Sequence, residues 1–315
     1  MDIPVYLITG FLESGKTSFI KEMLNDEGFN DGSESNLIIC CEEGEVEFTA
    51  QELSQMNAVV VNVESLDKLT ADFFANLEDY YCPDRVFIEY NAVWTLDAMA
   101  RVRKPENWIL AQRICLVDAQ TFELYLNNMR NMMSDCINLA DLVIFNRCTA
   151  ETPLSPYRRT VKAMNAPAQV LFEMEDGSIE DGVADEDLPY DMSADVIRVA
   201  DEDFGTWYLD ALDHPERYDG RTLRLKGMCF NMEGLPSNCF IFGRQAMTCC
   251  AEDISGIGYV CSFTGEKPSE GVWLDVTVKG EKGFSLLHRR DGLNLSLQKF
   301  KLAQKPKDEI VYFNN

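Results

Sequence analysis

Up to about residue 172 the chain alternates short apolar runs with amphipathic stretches, and this alternation predicts an α/β layered domain. The strand candidates are 4–9, 36–41, 58–63, 85–89, 113–117, 141–145 and 168–172. Several are nearly continuous apolar runs, Leu142-Val143-Ile144-Phe145 being the clearest. A strand with no polar face must be covered on both sides, which predicts a mainly parallel sheet. Helical spacing appears between them, at 69–81 with Phe73, Phe74, Leu77, Tyr80 and Tyr81, and again at 120–133.

The pattern breaks at 173–203, where Asp and Glu recur without an apolar period; a solvated acidic linker is expected there. Phe204, Trp207, Tyr208, Ala211 and Leu212 then return at helical spacing, a stripe suited to core or interdomain packing. From residue 219 the texture becomes short strands and glycine-containing turns, at 221–230, 238–250, 256–264, 271–280 and 308–313. That many strands in so short a stretch predict a small all-β barrel like an oligonucleotide/oligosaccharide-binding (OB) fold. The expected division is a P-loop domain over 1–175, a linker over 176–203 and the barrel over 204–315.

Composition narrows the function classes. The 315 residues can bury two cores, and 46% hydrophobic content suits a globular protein. No apolar run reaches the ~18 residues of a membrane span, and the N-terminus lacks a basic region followed by an apolar one. A cytoplasmic protein with no membrane insertion is expected. Lys+Arg 28 against Asp+Glu 53 leaves a net charge of −25, which repels nucleic acid and anionic lipid. Eleven cysteines, odd in number and scattered, predict reduced thiols rather than a disulfide framework.

The chemistry concentrates at Gly10-Phe11-Leu12-Glu13-Ser14-Gly15-Lys16-Thr17, which follows the apolar run Val5–Ile8 and precedes a helical pattern with Phe19, Ile20, Met23 and Leu24. This is G-x-x-x-x-G-K-[ST] in the strand–loop–helix context that a phosphate-binding loop requires. Gly10, Glu13, Ser14, Gly15 and Ser18 are the expected loop contacts to a nucleoside triphosphate. Lys16 would reach the β- and γ-phosphates, and the Thr17 hydroxyl would ligate Mg²⁺.

The order of further motifs resembles CobW-type P-loop GTPases, a family of metallochaperones and metal-homeostasis factors. Residues 41–48 (CEEGEVEF) look like the family's switch segment, 86–92 (VFIEYNA) like its second strand-end carboxylate motif, and 116–122 (LVDAQTF) like the segment that follows. Residues 140–147 (ADLVIFNR) are similar to its base-recognition strand, and 165–170 (NAPAQV) to its last loop. The resemblance implies that Glu42 lies near Mg²⁺ and the attacking water, that Glu89 holds the Mg²⁺ hydration shell, and that Asn146 and Arg147 meet the base. It further implies binding of GTP (or ATP), Mg²⁺-dependent hydrolysis and a metalloprotein client. Three departures stand out: Thr149 occupies the position of the guanine-reading Asp, Ala92 replaces a glycine at the γ-phosphate, and Glu13 brings a carboxylate into an anion-binding loop that either points outward or weakens phosphate binding. A degenerate, non-hydrolysing nucleotide scaffold therefore stays open as an alternative.

For metal, the stretch 57–69 contains no cysteine where the family's Cys-x-Cys-Cys motif would fall. Cys40 and Cys41 are adjacent on a strand, so they chelate one ion only if the strand ends between them; otherwise they are core cysteines. The second domain resembles the uncharacterised C-terminal module of YcgQ-type proteins, at 218–228, 242–253 and 272–280. Within it Cys249, Cys250 and Asp253, with Glu252 beside them, supply much of a Zn²⁺ or other soft-metal site. His288 is a candidate fourth ligand. The same residues also suit buried thiols and a solvated turn, and a metal-binding module with a vestigial GTPase half is the third reading. With only His214 and His288 in the chain, no Ser-His-Asp or Cys-His catalytic set can be assembled.

Overall fold

The Val5–Ile8 run enters the middle of an eight-stranded sheet in the computed structural model, described here for residues 2–94, 96–182, 188–247 and 254–313. In chain order its elements are β1 (Ile3–Thr9), α1 (Lys16–Asn25), β2 (Asn36–Cys40), α2 (Ala50–Gln55), β3 (Ala58–Asn62), α3 (Ala71–Tyr81), β4 (Arg85–Glu89) and α4 (Leu96–Arg101). They continue with β5 (Trp108–Asp118), α5 (Phe122–Asn128), α6 (Arg130–Asn138), β6 (Leu142–Cys148), α7 (Leu154–Met164), β7 (Gln169–Met174) and β8 (Ile179–Glu180). The sheet order is β3-β2-β4-β1-β5-β6-β7-β8. Every pairing is parallel except β7 with the short β8. This is the P-loop NTPase arrangement expected from the patterning.

Alternation along β1 sorts the two faces. Ile8 packs with Ile20 and Leu24 of α1, whereas Ile3 and Val5 join Phe74 and Leu77 of α3 on the other face. The α3 helix starts where the Thr70 hydroxyl accepts from the Phe73 N–H at 3.2 Å, and ends at Cys82 in the left-handed region, φ 46°. Because all strands but β8 point the same way, the C-terminal ends of β1, β2, β4 and β6 share one edge, where ligands of open α/β sheets bind.

The remaining elements are β9 (Val196–Arg198), α8 (Phe204–Asp213), β10 (Thr222–Phe230), β11 (Cys239–Met247), β12 (Ile254–Ser262), β13 (Trp273–Ser285), β14 (Arg290–Leu302) and β15 (Ile310–Tyr312). Strands β10-β13-β14-β12-β11 close on themselves through a β11–β10 pairing. Closure and the parallel β12–β14 contact give the strand order of an OB barrel. Alternate residues fill it, including Leu223, Phe242, Tyr259, Val276 and Leu295. The α8 stripe, Phe204, Trp207, Tyr208, Ala211 and Leu212, belongs to that same core.

Contacts within the chain define two compact units, 1–154 with 167–183, and 155–166 with 184–315. The α7 helix counts with the second, where Arg158 and Lys162 pair with Asp213 of α8 at 2.8 and 2.7 Å. The structure departs from the sequence reading in four places. The expected linker supplies β8 to the first sheet and β9 to the second. β5 begins at Trp108 rather than residue 113, because 108–110 pair with Ile3–Val5 across a bulge. The expected helix over 120–133 splits at Met129 into α5 and α6. The barrel's fifth strand is β14, absent from the expected strands, while the 308–313 run forms β15 on the outer edge of β11.

Candidate phosphate-binding site

Residues 10–15 turn the chain from β1 into α1 without a Cβ at the two tightest points. Gly10, at φ 137°, would drive a Cβ into the Leu116 carbonyl; Gly15, at φ 93°, would place one 2.6 Å from the Asn146 amide nitrogen. The loop is therefore shaped by contact with β5 and β6, and a side chain at either glycine would collide with its neighbours there.

Lys16 opens α1 and is folded back over the loop. Its ammonium donates to the carbonyls of Gly10 and Phe11, each at 2.9 Å, and to Glu42 Oε2 at 2.5 Å. Both partners of this ion pair are largely withdrawn from solvent. The Thr17 hydroxyl donates to Glu89 Oε1 at 2.8 Å. Glu89, at the end of β4, is 4% exposed, and its Oε2 has no hydrogen-bond partner among the described residues. Burial, the largest cause, raises the Glu89 carboxyl above its ordinary value against the opposing influence of Thr17 and Lys16. A buried carboxylate oxygen without a donor fits a divalent cation beside Thr17. The Ser14 hydroxyl and Asn146 Oδ1 are likewise buried without partners. Glu13, Gly15, Lys16, Thr17, Glu42 and Glu89 surround a cavity of about 30 Å³, and Ser18 borders it too.

Glu13 adopts φ 61°, and its side chain leaves the cradle. Oε1 accepts from the Glu45 N–H at 2.9 Å, tying the phosphate loop to the segment that resembles a switch. A Cβ on Gly44 would meet the same oxygen at 3.1 Å, so a larger residue there would require the Glu13 side chain to give by a few tenths of an ångström. On the opposite side, the Asn146 amide donates to the Ser14 carbonyl at 2.8 Å. Arg147, at φ 55°, donates to the Glu13 carbonyl at 3.0 Å and pairs with Asp118. Sequence reasoning did not single out Asp118 or Glu45. The first lies in the quoted 116–122 motif, whereas the second acts through its backbone, which no side-chain pattern reveals. Thr149 is engaged in its own turn, with its hydroxyl 3.5 Å from that of Thr152 and accepting from the Glu151 N–H at 3.2 Å. Ala92 is not among the residues with positive φ, so the missing glycine leaves no backbone strain.

The family model for the CobW/HypB/UreG nucleotide-binding domain matches residues 4–172, from β1 into β7. The chain belongs to this family. A second model, the DUF1980 C-terminal domain, matches residues 178–313. Among solved structures, a Zn(II)-bound triple mutant of YjiA GTPase is 21% identical over 55% of this chain and 57% of its own, with a TM-score of 0.41. Zn(II)-bound YjiA GTPase from E. coli is 20% identical over 54% and 57%, with a TM-score of 0.39. The hydrogenase maturation factor HypB from Archaeoglobus fulgidus is 13% identical over 55% and 81%, with a TM-score of 0.37. The chain thus spans 57% of the length of the YjiA structures. No curated protein matches it.

In this CobW/HypB/UreG chain the expected metal residues Cys249, Cys250 and Asp253 lie outside the described residues. Among the described ones, no group of three or more His, Cys, Asp or Glu could hold a metal ion. β2 does end at Cys40, yet the two neighbouring thiols diverge: Cys41 is in the core beside α3, while Cys40 donates to the Glu42 carbonyl at 3.0 Å. Burial, then the Glu89 carboxylate, hold the Cys40 thiol up at about 11, so it stays protonated near neutral pH. His288 packs against Tyr208 and Tyr259, with Nε2 facing the Gly258 carbonyl at 3.2 Å, and burial lowers its pKa. Every described cysteine is a free thiol, and no described helix is long and apolar enough to cross a membrane.

The raised Glu89 carboxyl has a consequence for stability. Since the folded protein holds that proton more tightly than the unfolded chain, the cost of the ionised group is absent below the ordinary value of 4.5 and grows as pH rises through the raised one. Glu89→Gln, which can keep the bond from Thr17, is expected to stabilise the nucleotide-free protein at pH 7, the gain fading as pH falls towards about 4. Urea unfolding of both proteins at the two pH values measures this; equal stability at pH 7 would contradict it.

Proposed function

We propose that the first unit binds a Mg²⁺–nucleoside triphosphate, GTP with only weak discrimination against ATP, and hydrolyses it. The observation that carries this reading is the Thr17–Glu89 pair next to Lys16, a hydroxyl and a buried, half-paired carboxylate beside the cation of a phosphate loop. On binding, the Lys16 ammonium exchanges Glu42 for oxygens of the β- and γ-phosphates, while the glycines at 10 and 15 let the loop backbone approach them. Thr17 and Glu89 are the residues that would hold Mg²⁺. Bound there, the ion neutralises charge developing on the phosphoryl oxygens. Glu42, released from Lys16, stays at the phosphate end of the site and orients the attacking water.

Weak base discrimination follows from Thr149. A guanine-reading carboxylate offers two acceptors to N1–H and N2–H₂, whereas Thr149 offers one hydroxyl that its own turn already uses. Asn146 and Arg147 contact the phosphate loop, which ties the base side of the site to the loop without selecting a purine. Metal delivery to a client is the family-level extension of this reading; its candidate residues in this chain are those at 249–253.

Single-turnover phosphate release in Mg²⁺ tests hydrolysis directly and separates an enzyme from a non-hydrolysing scaffold. Lys16→Ala should weaken GTP binding by about tenfold to a hundredfold, the worth of one charge-assisted contact. Unchanged affinity for both GTP and ATP would remove the phosphate-loop assignment. Thr149→Asp should raise the GTP-to-ATP affinity ratio by about tenfold or more. If the parent already prefers GTP by over about a thousandfold, some other residue reads the base.

A further inference from the structure

A second cavity, of about 300 Å³, opens on the face of the first sheet opposite α1. Its walls are the outward row of β1, Val5 and Leu7, with Ile88 of β4, Leu110 of β5, Met99 of α4 and Leu139 after α6. Leu110 and Leu139 are among the exposed large apolar residues, so the cavity opens to solvent across an apolar rim. Its size and lining are those of a small-molecule pocket, which characteristically adds a few placed polar groups to an apolar wall.

Two such groups line it. Trp108 is 6% exposed, and its indole N–H is buried with no acceptor among the described residues. Lys104 donates to the carbonyls of Met99 and Val102 at 2.8 and 3.0 Å, which leaves one of its three N–H bonds. Among the described residues no carboxylate pairs with this half-buried ammonium, and burial lowers its pKa. The other polar residues of the lining are already engaged: the Thr9 hydroxyl donates to the Ile114 carbonyl at 3.3 Å, and Arg113 is fixed on Asp141 at 2.5 Å. What remains, among the described residues, is one spare N–H on an ammonium whose only other neighbour of opposite character is the Phe74 ring face, 6.0 Å away, and a buried indole N–H without an acceptor, both beside an apolar wall. A buried donor without an acceptor costs free energy that a ligand acceptor would return.

We propose that this cavity binds a small amphiphilic monocarboxylate, with its hydrocarbon chain against Val5, Leu7, Ile88 and Leu110 and its carboxylate turned to Lys104 and Trp108. One cation and one N–H match a single carboxylate. A phosphate ester would bring more charge than these two donors answer, and an uncharged lipid would leave the ammonium unpaired.

The test uses the full chain without nucleotide, so its outcome is independent of the phosphate site. Octanoate, kept below its micellar concentration, is titrated by calorimetry with octanol as the uncharged control. The Trp108 indole N–H resonance, identified by its loss in Trp108→Phe, is followed in the same titration. Saturable one-to-one binding of octanoate, a shifted indole resonance, and about tenfold weaker binding in Lys104→Met with octanol unaffected are expected. Lys104→Arg should keep octanoate affinity. No saturable binding, or an octanoate affinity that Lys104→Met leaves unchanged, overturns the proposal. Should Lys104→Met fail to fold, an indole resonance unmoved by octanoate in the parent protein overturns it equally.

Discussion

Glu89 places one carboxylate oxygen on Thr17 and, among the described residues, buries the other without a donor, and the first unit's sheet edge is arranged around that group. A lone carboxylate inside a protein is expensive, and it persists only where something bound repays the cost. The ligand-free chain meets part of it with Lys16, whose charge lies near enough to oppose the effect of burial. That same lysine is shared with Glu42 at 2.5 Å. One cation thus serves two carboxylates, a distribution that a bound divalent ion and phosphate would rearrange: the ion would take Glu89, phosphate would take Lys16, and Glu42 would be left over. A displaced carboxylate next to the phosphate is a group available for the water.

Glu13 gives that exchange a mechanical link. Through its backbone carbonyl it receives Arg147, and through its side chain it receives the Glu45 N–H. The loop between β1 and α1 is consequently held from both sides, by the end of β6 and by the segment carrying Glu42. A carboxylate in an anion cradle would be repulsive if it pointed inward, yet at φ 61° the backbone turns it away and makes it an acceptor for the switch. Movement of Glu42 away from Lys16 therefore pulls on a segment anchored three residues later to the loop itself.

Much of this was readable before any coordinates, and the parts that were not share a cause. The phosphate loop, Glu42, Glu89 and Asn146 could be singled out because they stand in local motifs at strand ends, which the fold brings to one edge, and the parallel sheet follows from apolar runs such as Leu142–Phe145. The Glu13–Glu45 bond was not legible, since its acceptor is a side chain and its donor a backbone amide 32 positions away. β14 was overlooked although Leu293, Leu295 and Leu297 alternate with polar residues in the strand period. Its charged continuation, Lys299 and Lys301, hid the run, and the more apolar 308–313 segment drew the assignment instead. The 173–203 stretch misled in the opposite way: its recurring acids masked the short apolar pair Val196-Ile197 of β9, whose Ile197 is buried in the second core with Tyr190 and Val199, and β8 needed only backbone pairing.

The apolar cavity and the phosphate site hang on the same two strands. Thr9 lines the cavity and precedes Gly10; Ile88 lines it and precedes Glu89. Successive residues of a strand are joined by a nearly rigid peptide unit, so a backbone shift at Thr9 or Ile88 would also move its neighbour. The neighbours are the two least tolerant positions in the phosphate site. Gly10 has no room for a Cβ against the Leu116 carbonyl, and Glu89 has an oxygen that only a well-placed cation satisfies. Close-packed strands pass on small displacements rather than absorb them. Were occupancy of the cavity to displace either strand, the phosphate loop would be the first neighbour reached, and by reciprocity any such influence would run equally in both directions.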